Sequence, residues 1–262
     1  MPDRPTLRLW HNLARSGSTL IGRCIGSMRS VNLLSEIHPL GARFLNPFKQ
    51  AHAWFKLFTP EDIARLNAGP IPYPELMILM DRRATERGNS LVIRSWEHLD
   101  FYGPPFIARP PMKPLNLELL APVANLLRVA TVRHPIDQWI SLGTLKVMQG
   151  HLSLEQHLSG YRKFVETCLP ETVIRYEDFT RNPDGELKRM CEAIGIEFDP
   201  TYRERWPDYT TITGDIHNSR GLGAREIKPM PRREVKPSLL AQFDASEDYH
   251  AVLRALDYQH PD

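Results

Sequence analysis

Short apolar runs alternate with longer amphipathic stretches along most of the chain. The runs at 6–12, 31–34, 90–95, 127–132 and 172–176 are rich in Leu, Val and Ile and bounded by polar turns, which predicts buried strands. Between and after them, apolar residues recur at helical spacing over 18–28, 60–68, 74–87, 135–148, 154–167 and 185–194. Ser153 and Gln156 give one of these helices a capping box, and Pro135 stands near the first position of another. Strand–helix alternation predicts a single-domain α/β fold with a mostly parallel central sheet flanked by helices on both faces. Ligands of such sheets bind at the carboxyl ends of the strands.

No repeat, low-complexity segment or linker divides the 262 residues, and 42% hydrophobic content is enough for one core. Aromatic side chains crowd 44–58 (Phe44, Phe48, Trp54, Phe55, Phe58) and the proline-broken stretch 101–108. Either could wall a pocket, and either could simply fill the core or pack a cap.

Charge narrows the partners. With 33 basic and 31 acidic side chains the net charge is +2, so neither nucleic acid nor an anionic membrane is indicated as a partner. Positive field is local, near Arg15, Arg133 and the stretch 220–233. Three widely spaced cysteines (Cys24, Cys168, Cys191) suggest neither a disulfide framework nor a zinc site and fit a reducing, cytoplasmic setting. The sequence shows no apolar signal region and no 18-residue apolar window, so neither export nor a membrane span is expected.

Two turns carry the candidate chemistry. After the first run, Ala14-Arg15-Ser16-Gly17-Ser18-Thr19-Leu20 joins a strand to a helix. A helix N-terminus there offers unpaired amides and partial positive charge, Gly17 lets the backbone approach an anion, Arg15 adds a forked cation, and Ser16, Ser18 and Thr19 add hydroxyls. The bland alternative is an ordinary turn with a Ser cap. G-x-x-x-x-G-K-[ST] is absent, which counts against magnesium-dependent phosphoryl transfer. Arg133-His134-Pro135-Ile136-Asp137-Gln138-Trp139-Ile140-Ser141 repeats the arrangement after the fourth run, with Arg133 at the strand end and Ser141 two turns along the helix. Two anion sites suggest a ligand phosphorylated at both ends; Arg133 in a mere helix-entry salt bridge is the plainer alternative.

The pair R-S-G-S-T-L and R-H-P-x-D-x-W-x-S resembles the 5′-phosphosulfate loop and 3′-phosphate motif of sulfotransferases that use 3′-phosphoadenosine 5′-phosphosulfate (PAPS). Arg175-Tyr176-Glu177-Asp178-Phe179 with Asn182-Pro183 is similar to the Y-E-D turn that follows in that family. The resemblance runs from about Leu7 to Gly195 and implies a P-loop-like sulfotransferase fold. It implies sulfuryl transfer from PAPS to a hydroxyl or amine of a small-molecule acceptor by in-line displacement, with 3′-phosphoadenosine 5′-phosphate (PAP) as product and no metal. Arg15, standing where many relatives have Lys, would stabilise the leaving 5′-phosphate, with Ser16, Gly17, Ser18 and Thr19 completing the cradle. Arg133 and Ser141 would hold the 3′-phosphate, Tyr176 would lie beside the adenine, and Arg220 and Arg225 would close over the site, with Lys228, Arg232 and Arg233 behind them. A solvated basic tail is the bland reading of that last segment.

The base is expected at the end of the third run, where His98 comes first and Glu97 second. A His after a strand is as readily a satisfied structural residue. Trp96 stands where many relatives place a His, and Ala14 replaces the family's Pro. The turn Glu36-Ile37-His38-Pro39 could also reach the acceptor. The layout implied is a nucleotide-binding core over 6–36 and 90–195, an acceptor-side helical insertion over 39–87 and an Arg-rich closing segment over 215–235. Rival readings are a P-loop-like small-molecule or nucleotide kinase and a non-catalytic PAP/PAPS-binding protein. Acceptor identity, O- versus N-sulfation and oligomeric state are not written in the motifs.

Overall fold

The structure, a computed structural model, describes residues 4–214 and 224–261. Strands β1 (Thr6–Asn12), β2 (Val31–Ile37), β3 (Ser90–Ser95), β4 (Asn125–Val132) and β5 (Val173–Arg175) form one sheet in the order β2-β3-β1-β4-β5. Every pairing is parallel, so all five carboxyl ends share one edge. From central β1 the chain first moves outward to β2, returns through β3, and then crosses to β4 on the opposite side. That reversal is a topological switch, and it leaves a crevice where β1 and β4 end.

Successive side chains on a strand face opposite ways, and here both faces are covered. Trp10, Leu33, Val92, Val129 and Ile174 pack with α1 (Ser18–Gly26), α10 (Pro183–Ala193) and α11 (Tyr202–Arg205). Leu7, Leu9, Leu34, Leu91 and Ile93 pack on the other face against α2 (Pro47–Phe55), α4 (Tyr73–Thr85) and α6 (Leu115–Leu120). Beside the sheet, α7 (Pro135–Gly143), α8 (Leu154–Cys168), α12 (Pro237–Asp244) and α13 (Glu247–Leu256) bury Ile136, Leu158, Phe243 and Tyr249 together.

The expected strands are all present, and the Ser153–Gln156 capping box opens α8. Three differences have local causes. Helix α7 stops at Gly143 rather than 148, where the Thr144 hydroxyl donates to the Ser141 carbonyl (2.7 Å) and satisfies an end group. Strand β5 ends at Arg175, and Tyr176 opens helix α9 (Tyr176–Arg181), whose Glu177 and Asp178 favour the positive helix start. The stretch 44–58 contains α2, which Asn46 caps ahead of Pro47 at the first position.

Helix α3 (Pro60–Ala68) is tied to α4 through Asp62, whose carboxylate accepts from Arg83 Nε (2.7 Å) and Nη2 (2.8 Å) and from the Thr59 amide (3.0 Å). Those bonds, the Arg83 ones first, hold its pKa at about 2 against an ordinary 3.8. A depressed carboxylate contributes stability that is complete above its unfolded pKa and is lost as pH falls through the folded one. Urea unfolding between pH 7 and 2 should therefore show a loss beginning below the ordinary value of 3.8. Arg83→Met should flatten that loss.

Candidate active site

The turn after β1 is built by two residues with left-handed backbone, Arg15 (φ 67°) and Gly17 (φ 85°). Gly17 is the N-cap of α1, and the Leu20 and Ile21 amides both return to its carbonyl (3.0 and 3.2 Å). The amides of Ser18 and Thr19, first in the helix, have no intrahelical acceptor. No acidic residue stands in that first turn, so the positive end of the helix is open to an anion. Ser16 is 1% exposed and its Oγ has no hydrogen-bond partner among the described residues. Glycine at 17 is obligatory twice over, because a Cβ there would also lie 2.1 Å from Tyr176 Cδ2.

Parallel pairing sets Asn12 opposite Thr131, so the residues that follow each strand emerge side by side. Arg15 Nε donates to Ser141 Oγ (2.9 Å), and Arg133 Nη1 donates to the Arg15 carbonyl (3.5 Å). Gln138 Nε2 reaches the Ala14 carbonyl (2.6 Å). The Arg133 guanidinium lies 4.8 Å over the Tyr176 ring, the ring that already packs on Gly17. Three stretches more than 30 residues apart thus meet at one place, with Tyr176 between the two turns.

Arg133 is held from behind. Its amide donates to Tyr161 Oη (3.3 Å), and that hydroxyl donates to its carbonyl (2.6 Å). Glu177 takes one bond from the His134 amide (3.0 Å) and another from the Tyr258 hydroxyl (2.7 Å). His134 Nδ1 accepts from the Ile136 amide (3.3 Å), so Nε2 carries the proton and donates to the Gln259 carbonyl (3.0 Å). Burial pushes the His134 imidazole down to about 4, which keeps it neutral beside the cations. Next to this clamp an open cleft of about 530 Å³ is lined by Arg133, Asp137, Tyr176, Thr180, Met230 and Arg233. Arg232 secures the covering segment through Asp137 (3.0 Å).

Residues 13–200 match the sequence profile of the sulfotransferase family. The chain belongs to that family. No curated protein matches the sequence. Its fold is similar to that of the sulfotransferase domain of the Synechococcus PCC 7002 olefin synthase, at 18% identity over 99% of this chain and 97% of that one, with a TM-score of 0.75. The sulfotransferase domain of the curacin biosynthetic pathway is also similar, at 16% identity over 99% and 100% of the two chains and a TM-score of 0.66.

In this sulfotransferase the two expected bases, Glu97 and His98, are both buried. Glu97 is 1% exposed, with Oε1 against His11 Nδ1 (2.7 Å) and Oε2 accepting the Asn12 amide (3.0 Å). Arg128 Nε donates to His11 Nε2 (3.1 Å), which fixes the tautomer: Nδ1 carries the proton and donates to Glu97. Glu97 therefore braces the end of β1. His98 opens the short helix α5 (His98–Phe101), donates from Nε2 to the Pro104 carbonyl (2.9 Å), and is pushed down to about 4 by burial. The bonds and ring contacts found for it all fall within 102–106. A proton acceptor so weak and so enclosed is poorly suited to general-base work.

The late basic segment also sorts differently. Arg225 is bound to the Pro207 carbonyl (2.7 Å) and Asp208 (2.5 Å), and Arg233 lines the cleft instead. Arg220 lies outside the described residues. Of the turn 36–39, His38 is buried and its Nε2 is committed to Asp100 (2.9 Å).

One polar residue, Arg94, acquires importance only in three dimensions, and Glu36, expected near the acceptor with the rest of its turn, is singled out by the backbone. Arg94, 1% exposed in apolar β3, donates from Nη1 to Ser18 Oγ (3.0 Å) and from Nη2 to the Thr213 carbonyl (2.9 Å). A cation inside a doubly covered strand was the available signal. Glu36 stands where the β2–β3 register shifts, with φ 56°, an unusual backbone for a non-glycine residue. Its Oε1 and Thr19 Oγ1 lie 2.9 and 3.2 Å from the point a Cβ on Gly214 would occupy, so its carboxylate adjoins the cradle.

Two variants check this geometry by calorimetric titration with PAP. Gly17→Ala should lose at least about tenfold in affinity, because the left-handed backbone costs about 1–2 kcal/mol and the Tyr176 ring must also shift. Tyr258→Phe should remain folded and lose about threefold to tenfold, since the hydrogen bond to the charged Glu177 is worth about 1.5–3 kcal/mol and acts on the ligand only through the His134 amide.

Proposed function

We propose that this sulfotransferase takes its sulfuryl group from PAPS, grips the 5′ side of the donor at the β1 turn and the 3′ side at the β4 turn, and transfers to a small-molecule hydroxyl. The reading is carried by the meeting of Arg15, Ser141, Arg133 and Tyr176 at the ends of adjacent strands. The residues suit the donor's two anionic ends. Among the described residues the buried Ser16 hydroxyl and Arg133 Nε both lack partners, and the first amides of α1 have no acceptor within their own helix. Ser18 and Ser141 each accept one bond through oxygen and retain a hydroxyl proton to donate.

The donor supplies a sulfuryl group activated by its anhydride link to phosphate. Arg15 and the α1 amides stabilise the charge that collects on the departing 5′-phosphate oxygen, and they do so preorganised. Arg94 holds Ser18 and the Thr213 carbonyl in place from below. Glu36 takes the proton of the acceptor hydroxyl as its oxygen forms the new bond to sulfur and the old sulfur–oxygen bond to phosphate breaks. Arg133, Ser141 and Arg233 hold the 3′-phosphate, and Tyr176 flanks the nucleoside. The helices between β2 and β3 form the acceptor side. Three free, buried cysteines fit a cytoplasmic setting, and among the described residues no helix is long and apolar enough to cross a membrane.

The test combines PAP titration with release of PAP from PAPS in the presence of hydroxyl acceptors. Arg133→Ala should weaken PAP by about tenfold to a hundredfold, as expected for loss of a charge-assisted hydrogen bond worth about 1.5–3 kcal/mol. Glu36→Gln should lower kcat by about 10² to 10⁴ with PAP affinity unchanged. Absence of measurable PAP binding to the wild-type chain would overturn the choice of donor, and full turnover by Glu36→Gln would overturn the choice of base.

A further inference from the structure

The bulge that presents Glu36 leads directly into an exposed apolar patch. Leu40 is 47% exposed and Phe44 43% exposed, although large apolar side chains in this chain are mostly covered. The Phe44 ring meets Trp96 edge-on at 6.1 Å and Phe106 at 5.5 Å, and the latter two rings are 4.8 Å apart. The patch is built rather than loose. A Cβ on Gly41 would come within 3.0 Å of Trp96, so the turn is pressed against the end of β3. Arg43 caps it, with its guanidinium 4.6 Å over the Phe44 ring and Nη2 donating to the Phe106 carbonyl (3.0 Å).

The cation placed at the patch itself is Arg43. Residues 37–60 contain Arg43, Lys49 and Lys56 and no acidic residue, whereas Lys113 of the other stretch is paired with Glu118 (2.5 Å). Arg43, Lys49 and Lys56 form no ion pair among the described residues. An apolar shelf capped by an arginine that forms no ion pair among the described residues is complementary to a ligand with an apolar body and an anionic group.

We infer that the acceptor is an anionic amphiphile, a hydroxylated molecule whose apolar body lies on Leu40, Phe44 and Phe106 and whose carboxylate or phosphate meets Arg43. The inference rests on Glu36 marking the reacting end of the site. The sulfuryl step is the one already described, and Arg43 acts in specificity alone.

Decanoate and 1-decanol, which share an apolar body and differ in charge, serve as probes. They are titrated calorimetrically into the full chain saturated with PAP, as wild type, Arg43→Gln and Phe44→Ala. Decanoate should bind about tenfold more tightly than 1-decanol, a difference of about 1.4 kcal/mol. Arg43→Gln should erase that preference and leave 1-decanol unchanged, while Phe44→Ala should weaken both. Equal affinities, no saturable binding of either probe, or a preference that survives Arg43→Gln would overturn the inference. The preliminary PAP titration separates the two failures, because a chain that binds PAP without preferring decanoate refutes the acceptor class alone.

Discussion

Parallel pairing of β1 with β4 is the constraint on which the site depends. It sets Asn12 against Thr131, and the chains leaving those strands have no choice but to run together. One turn delivers Arg15 and an open helix end; the other delivers Arg133 and, two turns later, Ser141. Each strand alone would yield a weak anion site of a common kind. Their adjacency brings two such sites into direct contact, through Arg15 and Ser141.

That contact needs a rigid foundation, and polar groups supply it under the apolar layers. The relay Arg128–His11–Glu97 ends on the Asn12 amide, the last residue of β1. On the other side, Tyr161 and Glu177 hold the backbone on either side of the Arg133–His134 link. Buried polar groups are costly when unpaired and stiff when satisfied, so their placement beneath both turns limits how far either can drift. The C-terminal residues Tyr258 and Gln259 join this foundation and connect the far end of the chain to its nucleotide side.

Much of this was legible in the amino-acid sequence because the signals are local. Apolar runs in a doubly covered sheet stand out against amphipathic helices, Arg15, Gly17 and Arg133 sit in turns after strands, and Ser141 follows Arg133 at an informative spacing along α7. What escaped depends on register and distance. Arg94 matters because β3 lies under α1, and within the expected turn 36–39 it is the register shift of β2 that separates Glu36 from the buried His38. Glu97 and His98 looked like bases because a carboxylate and an imidazole follow a strand. Burial decides otherwise, by engaging both carboxylate oxygens and lowering the imidazole's basicity. Among the late arginines, the family resemblance pointed to Arg220 and Arg225, whereas Arg225 is bound to the Pro207 carbonyl and Arg233 lines the cleft.

Strand β2 lies at the border of the sheet, two places from β1. The turns that carry Arg15 and Arg133 follow interior strands, where any shift propagates to neighbours on both sides. The bulged turn at 36–44 is continuous in sequence and has paired backbone on one flank only. Insertions beyond Glu36 in that turn therefore disturb pairing on one side only and leave the contacts of β1 with β4 as they are.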